Sequence, residues 1–289
     1  MKKYPFRLTL DIAGIVIRVN SEIDFSRFKD LHMVEDFQSE KGPPFDCRIF
    51  LQSGLPSLSR KKSFVFNPAD NWKLFKTDKG ILVEVGTPYR DGGCDEVILL
   101  NEDYSRGSVY KRNVVSLSRY FLDQFLLINL LSRRQGFNLH AAGLIWNNQG
   151  LVFSGRSGAG KSTLLKLFSG DSGTRTSLND DRIIIRKIDS KWKIFGTPWH
   201  GDLPIVSPES APLKAIYFIK HSSKNYIRYL SSAETCQALF QHSLLPYWDE
   251  YEMGLVLDSF ALLMLDIPAY ELGVVPDKRI VKFVTSRLK

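Results

Sequence analysis

Residues 155–163 read Gly155-Arg156-Ser157-Gly158-Ala159-Gly160-Lys161-Ser162-Thr163, the full Gly-x-x-x-x-Gly-Lys-Ser spacing of a phosphate-binding loop. An apolar run, Leu151-Val152-Phe153, precedes it, and a helix-like run, Leu164-Leu165-Lys166-Leu167-Phe168, follows. That is the strand–loop–helix setting the chemistry needs. Glycines let the backbone curl so that its N–H groups face phosphate oxygens. Lys161 supplies charge to the β/γ-phosphates, and the Ser162 hydroxyl can ligate Mg²⁺. The helix that follows adds its positive end to the same anion. All nine residues of the loop are therefore expected to contact nucleotide.

Working upstream, Asn138–Trp146 is an apolar strand and Asn147-Asn148-Gln149-Gly150 a turn, so a tight hairpin feeds the loop. Most proteins with such a loop alternate strands and helices instead. Downstream, Asp181–Ile188 and Lys191–Phe195 read as two more strands about an Asp189-Ser190 turn. The expected core is thus an α/β (α+β) fold with the phosphate loop on a mixed, hairpin-rich sheet. The chain then reads helix (from Ser232), helix (Asp249–Leu265), strand (Tyr270–Val275) and a short basic helix after Pro276-Asp277.

Residues 1–115 read as a strand-rich domain, with Arg7–Ile12, Ile15–Val19 and Gly80–Val85 as β-branched runs. Turn clusters at Lys41–Pro44, Pro68–Asn71 and Asp91–Gly93 separate them. This domain carries no catalytic motif and is assigned to substrate or partner recognition. Residues 116–136 form a connecting helix, since Leu117, Phe121, Phe125, Ile128 and Leu131 recur at helical spacing and Arg133-Arg134-Gln135-Gly136 makes a basic, Gly-terminated end. The loop domain is residues 137–289.

Phosphoryl transfer also needs a carboxylate for metal and a base for the nucleophile. Asp180 and Asp181, in Asn179-Asp180-Asp181-Arg182, are the clearest candidates; Asp171 lies in a Ser-Gly-rich turn. Neighbours on a strand face opposite ways. Both can serve one site only from a turn entering the strand, which Asn179 favours. His140 sits on the strand paired with the one feeding the loop, where the hairpin could carry it to the phosphates. Gly196-Thr197-Pro198-Trp199-His200-Gly201-Asp202 is a dense loop of the kind that holds functional groups. Its His200 and Asp202 are candidates for acceptor or metal contact.

The 289 residues carry a formal net charge of +8, are 44% hydrophobic and contain three scattered cysteines, Cys47, Cys94 and Cys236. That excludes a disulfide framework or a Cys-based zinc site. No apolar run reaches membrane-span length, and the first residues lack an apolar signal core, which predicts a cytoplasmic protein with no membrane partner. The cations are dispersed along the chain, apart from Arg60-Lys61-Lys62 and Lys278–Lys289. No basic stripe interleaved with aromatics is visible, so a nucleic-acid partner is not expected. No Asn-Lys-x-Asp, Leu-Ser-Gly-Gly-Gln, Gly-x-Ser-x-Gly or His-Glu-x-x-His occurs, which excludes several other enzyme classes.

The ordered trio of Leu139-His140-Ala141-Ala142-Gly143-Leu144, Gly155–Thr163 and Asn179-Asp180-Asp181-Arg182 resembles the C-terminal catalytic domain of the HPr serine kinase/phosphorylase family, of the phosphoenolpyruvate carboxykinase-like fold. The resemblance covers about residues 137–289. It implies an ATP- and Mg²⁺-dependent serine kinase in which Lys161 holds the β/γ-phosphates, Ser162 binds Mg²⁺, Asp180 supports metal or water, and Asp181 takes the acceptor proton with His140 close by. The Arg-Gly-Leu-Gly segment tied to reverse phosphorolysis in that family is absent, and the Gly196–Asp202 loop stands roughly there. The chain looks more like divergent members that accompany peptide-modification genes. The implied acceptor is a hydroxyl of a peptide, small protein or small molecule, and a homo-oligomer is expected. The rival readings are a nucleotide-binding regulatory or scaffold protein and a small-molecule phosphotransferase.

Overall fold

The computed structural model describes residues 4–57, 62–69, 72–86, 94–113, 117, 125–169 and 175–288. The Asp91–Gly93 turn, Asp171, Arg60-Lys61 and most of residues 116–124 lie outside them. The fold is strand-rich and mixed α+β, with two large mixed sheets and few helices. The chain divides into two compact units, Met1–Leu130 and Leu131–Lys289.

The first unit is one eight-stranded sheet built from β1 (Phe6–Ile12), β2 (Ile15–Ser21), β3 (Cys47–Ser53), β4 (Ser63–Ala69), β5 (Trp72–Thr77), β6 (Gly80–Gly86), β7 (Cys94–Leu100) and β8 (Arg106–Lys111). Its order is β1-β2-β3-β8-β7-β6-β5-β4. The β2–β3 and β3–β8 pairs are parallel, and the other pairs run antiparallel. Alternation decides the faces. Ile17, Val19, Ile49, Leu51 and Val109 are buried, whereas Arg18, Asn20, Arg48, Phe50, Arg106 and Ser108 point away from that core.

A short helix, α1 (Leu127–Ser132), crosses the division between the units. It ends before the Gln135 expected from its sequence. Gln135 turns into the left-handed region at φ 52°, and Gly136 already belongs to the next strand. Ser132 and Arg133 donate to the fully buried Glu252 carboxylate, so this end is held by an ion pair, not by solvent.

The second unit is organised around β9 (Gly136–Trp146), which returns as β10 (Gln149–Ser154). Asn147 and Asn148 take φ of 47° and 61°, the paired positive values of a two-residue hairpin turn. The chain continues through α2 (Lys161–Ser169), β11 (Arg175–Asn179), β12 (Arg182–Ile188) and β13 (Lys191–Phe195), then β14 (Ser210–His221) and β15 (Tyr226–Tyr229). It ends with α3 (Ser232–His242), β16 (Ser243–Leu244), α4 (Glu250–Asp266), β17 (Ala269–Val274) and α5 (Arg279–Thr285). The sequence reading assigns no element to β14, yet it is central: it runs parallel to both β10 and β17. Its start also pairs with β13, so β9, β10, β14, β13 and β12 close a ring of pairings.

Apolar residues line both faces of this sheet, as expected for strands covered on two sides. Leu139, Ala141 and Val152 pack with Leu239, Val256, Phe260 and Leu263 of α3 and α4. Ala142, Leu144, Leu151 and Phe153 pack with Leu164, Leu165 and Phe168 of α2 and with Ile280, Val281 and Val284 of α5. These layers hold β10, and so the start of the loop after it, rigidly in place.

Candidate active site

The segment between β10 and α2 is the loop Gly155–Gly160. Gly158 and Gly160 adopt φ of 77° and 95°, where a side chain would strain the backbone. Nε2 of His221, on β14, lies 3.1 Å from the carbonyl of Gly158 and ties down the loop tip.

Lys161 opens α2 but is buried. An ammonium has three protons to donate. They go to His140 Nε2 at 2.9 Å, the Gly155 carbonyl at 3.0 Å and the Arg156 carbonyl at 3.3 Å. His140 Nε2 must therefore be bare, and the imidazole proton sits on Nδ1. That atom is 3.0 Å from both the backbone oxygen and Oδ1 of Asp181. Asp181, His140 and Lys161 thus form a directed chain. Burial pushes the Lys161 ammonium below the usual lysine range, against the opposite pull of Asp181, Asp180 and Asp202.

Asp180 and Asp181 occupy the turn between β11 and β12. Asn179 builds that turn. Its Oδ1 accepts from the N–H groups of Asp181 (2.8 Å) and Arg182 (2.9 Å). Its Nδ2 donates to the Thr197 (3.1 Å) and Trp199 (3.0 Å) carbonyls, locking the Gly196–Asp202 loop to the same turn. Asp180 is buried and accepts from Gly201 N–H (2.8 Å), Leu203 N–H (2.9 Å) and Ser162 Oγ (3.1 Å). A Cβ on Gly201 would lie 2.9 Å from Asp181 Cβ and 3.2 Å from Asp180 Oδ1, so only glycine lets this backbone approach so closely.

A cavity of about 270 Å³ is lined by His140, Lys161, Ser162, Asp180, Asp181 and Asp202, with the loop residues around them. His200 does not line it; its Nδ1 lies 3.0 Å from the Gly201 carbonyl. A larger cavity of about 730 Å³ lies across the loop, lined by Gly155–Ala159, of which Ser157 and Gly158 also line the smaller cavity, and by Phe218, Lys220, Arg228, Gln241 and His242. His242 went unnoticed in the sequence. Its ring stacks on Phe218 at 6.0 Å, and burial, then the nearby charges of Lys161 and Arg156, push its pKa down. Nothing local in the sequence signals it, because the β16–β9 pairing is what brings it there. On the far wall, burial opposes ionisation of Glu271, but donation from Lys220, Arg228 and Tyr226 holds its carboxyl down at about 2.

No group of three or more His, Cys, Asp or Glu side chains that could hold a metal occurs among the described residues. Of the oxygen donors in the cavity, the Ser162 hydroxyl and the Asp180 carboxylate lie together, 3.1 Å apart. That set fits Mg²⁺, which binds through one or two protein ligands and keeps waters and phosphate oxygens for the rest. The Ser162 proton goes to Asp180, which leaves the Ser162 lone pairs free for a cation. No helix is long and apolar enough to cross a membrane among the described residues.

No protein-family model matches the chain, and no curated protein matches it. Among solved structures, the chain is similar to the Hpr(Ser) kinase/phosphatase from Coxiella burnetii, at 11% identity over 52% of this chain and 86% of that one, with a TM-score of 0.28.

Proposed function

We propose that this protein is an ATP- and Mg²⁺-dependent phosphotransferase that moves the γ-phosphoryl group to a hydroxyl, most simply a serine, of a peptide, small protein or small molecule. The observation that carries the reading is the 2.9 Å contact of Lys161 with a His140 that is in turn 3.0 Å from Asp181, in one cavity with Ser162 and Asp180. A phosphate-directed cation, a metal-directed hydroxyl and a candidate base thus converge at one place.

In this reading the loop N–H groups and the start of α2 hold the phosphates, and Lys161 neutralises the terminal ones. Ser162, with Asp180 behind it, would hold Mg²⁺, which would supply further neutralisation of the phosphate charge. Asp181 accepts the proton of the acceptor hydroxyl as its oxygen bonds to the γ-phosphorus. The bond from that phosphorus to the bridging oxygen breaks, and ADP leaves. His140 orients Asp181 through Nδ1–H.

The test is titration with ATP, with and without Mg²⁺, followed by γ-labelled ATP with serine-containing peptides and small alcohols. Mg²⁺-dependent binding with label on an acceptor is expected. Binding with no label on any acceptor would instead favour the regulatory reading, and no binding would end both.

A further inference from the structure

The outward face of the first unit gathers arginines that are far apart in the chain. Strand register puts Arg18 of β2 opposite Arg48 of β3, and Arg48 opposite Arg106 of β8. With strands about 4.8 Å apart, the three form one row across the sheet. Arg7 of β1 lies beside its end, and Arg7 and Arg18 line a depression of about 430 Å³ with Gln38 and Glu40 at its rim. Arg7, Arg48 and Arg106 are exposed and Arg18 half-buried. None of the four makes a salt bridge among the described residues.

What holds the row is aromatic. The Arg18 and Arg48 guanidinium groups lie 4.7 Å and 5.4 Å from the Phe45 ring, and that of Arg106 lies 4.7 Å from Phe50. Stacking fixes these planar groups while leaving their N–H edges free to donate. Such a row repels itself, and a line of carboxylates would relieve it.

We propose that this face docks an extended acidic peptide segment of a protein partner. Two carboxylate residues separated by one neighbour sit about 6.8 Å apart on the same side of an extended chain, so they can engage the row as fork-to-fork pairs. A single-stranded nucleic acid would need ring faces for its bases. Here guanidinium groups cover the Phe45 and Phe50 faces, so the surface favours carboxylates. Carboxylates near the row are already engaged elsewhere: Asp46 accepts from the Val16 N–H at 2.8 Å, Asp103 from the Ser105 N–H at 3.0 Å, and Glu22 from the Ser53 N–H at 2.6 Å.

The proposal is tested on the full chain by fluorescence anisotropy at low salt, with a labelled ten-residue peptide alternating Glu and Ser and its Gln-for-Glu counterpart. The Glu peptide should bind and the Gln peptide should not. Arg48→Ser with Arg106→Ser should weaken binding about tenfold. Lys191→Ser with Lys224→Ser, an equal charge loss in the second unit, should change it less than about twofold. Equal losses in both double variants, or no binding of the Glu peptide to the wild type, would overturn the proposal. So would an oligothymidylate that binds more tightly than the peptide through the same two arginines. This surface is independent of the phosphotransferase reading, and either can fail without the other.

Discussion

Two places in the molecule, one in each unit, treat positive charge in opposite ways. In the second unit Lys161 is buried, and each of its three protons has an acceptor within 3.3 Å. In the first unit Arg18, Arg48 and Arg106 touch aromatic rings and make no ion pair among the described residues. Burial explains the contrast. A buried cation without partners costs several kcal/mol, so its surroundings must be built with it, whereas an exposed cation stays solvated. The buried charge belongs to a preorganised site, and the exposed charges to a surface that waits for a counter-charge.

The comparison breaks most sharply at Asp181. Asp181→Asn should leave ATP affinity within about twofold while transfer falls about 10²–10⁴-fold, the usual worth of a positioned base. Lys161→Ala should instead lose ATP binding itself, as read by calorimetric titration. Transfer at the wild-type rate by the Asn variant would remove Asp181 from its role.

Next in size is the frame beneath the buried charge. Phe260 is fully buried, edge-on to Phe137 at 4.8 Å. Phe260→Ala should cost about 3–5 kcal/mol in denaturant unfolding. Gly201→Ala should cost about 1–3 kcal/mol, because its Cβ would crowd the two aspartates, and Mg²⁺-dependent ATP affinity should fall with it. An unchanged affinity would show that the Gly201 N–H does not position Asp180.

The smallest effect concerns pH. Glu271 and Glu234 both have carboxyls held down at about 2. A lowered carboxylate pKa adds stability that is complete above the unfolded value near 4.5 and fades as pH falls towards 2. The thermal midpoints of wild type and Glu271→Gln should therefore differ at pH 6, and the gap should narrow below pH 4.5 and close towards pH 2. A gap that stays constant with pH would mean that charge is not what the network contributes.

Residues that act on near neighbours were legible. The Asn147-Asn148 turn, the loop glycines and the start of α3 at Ser232, where the structure shows a Ser231–Glu234 capping box, are set by local backbone chemistry. So was the Asn179 turn, which lets Asp180 and Asp181 face one cavity although they are adjacent. The α1 end was misread because Gln135, not Gly136, takes the left-handed conformation there.

By itself, then, the sequence determined the hairpin, the loop after it and the paired aspartates, all of them products of contacts between residues close in the chain. Only the tertiary structure decided the rest. β14 is a twelve-residue strand whose place between β10 and β17 depends on distant strands. His242 reaches the site through the pairing of β16 with β9. The arginine row exists only because β2, β3 and β8 lie side by side in register. The physical reason is common to all three: strand pairing is non-local, and in the arginine row a shift of one residue in register would turn a side chain to the opposite face.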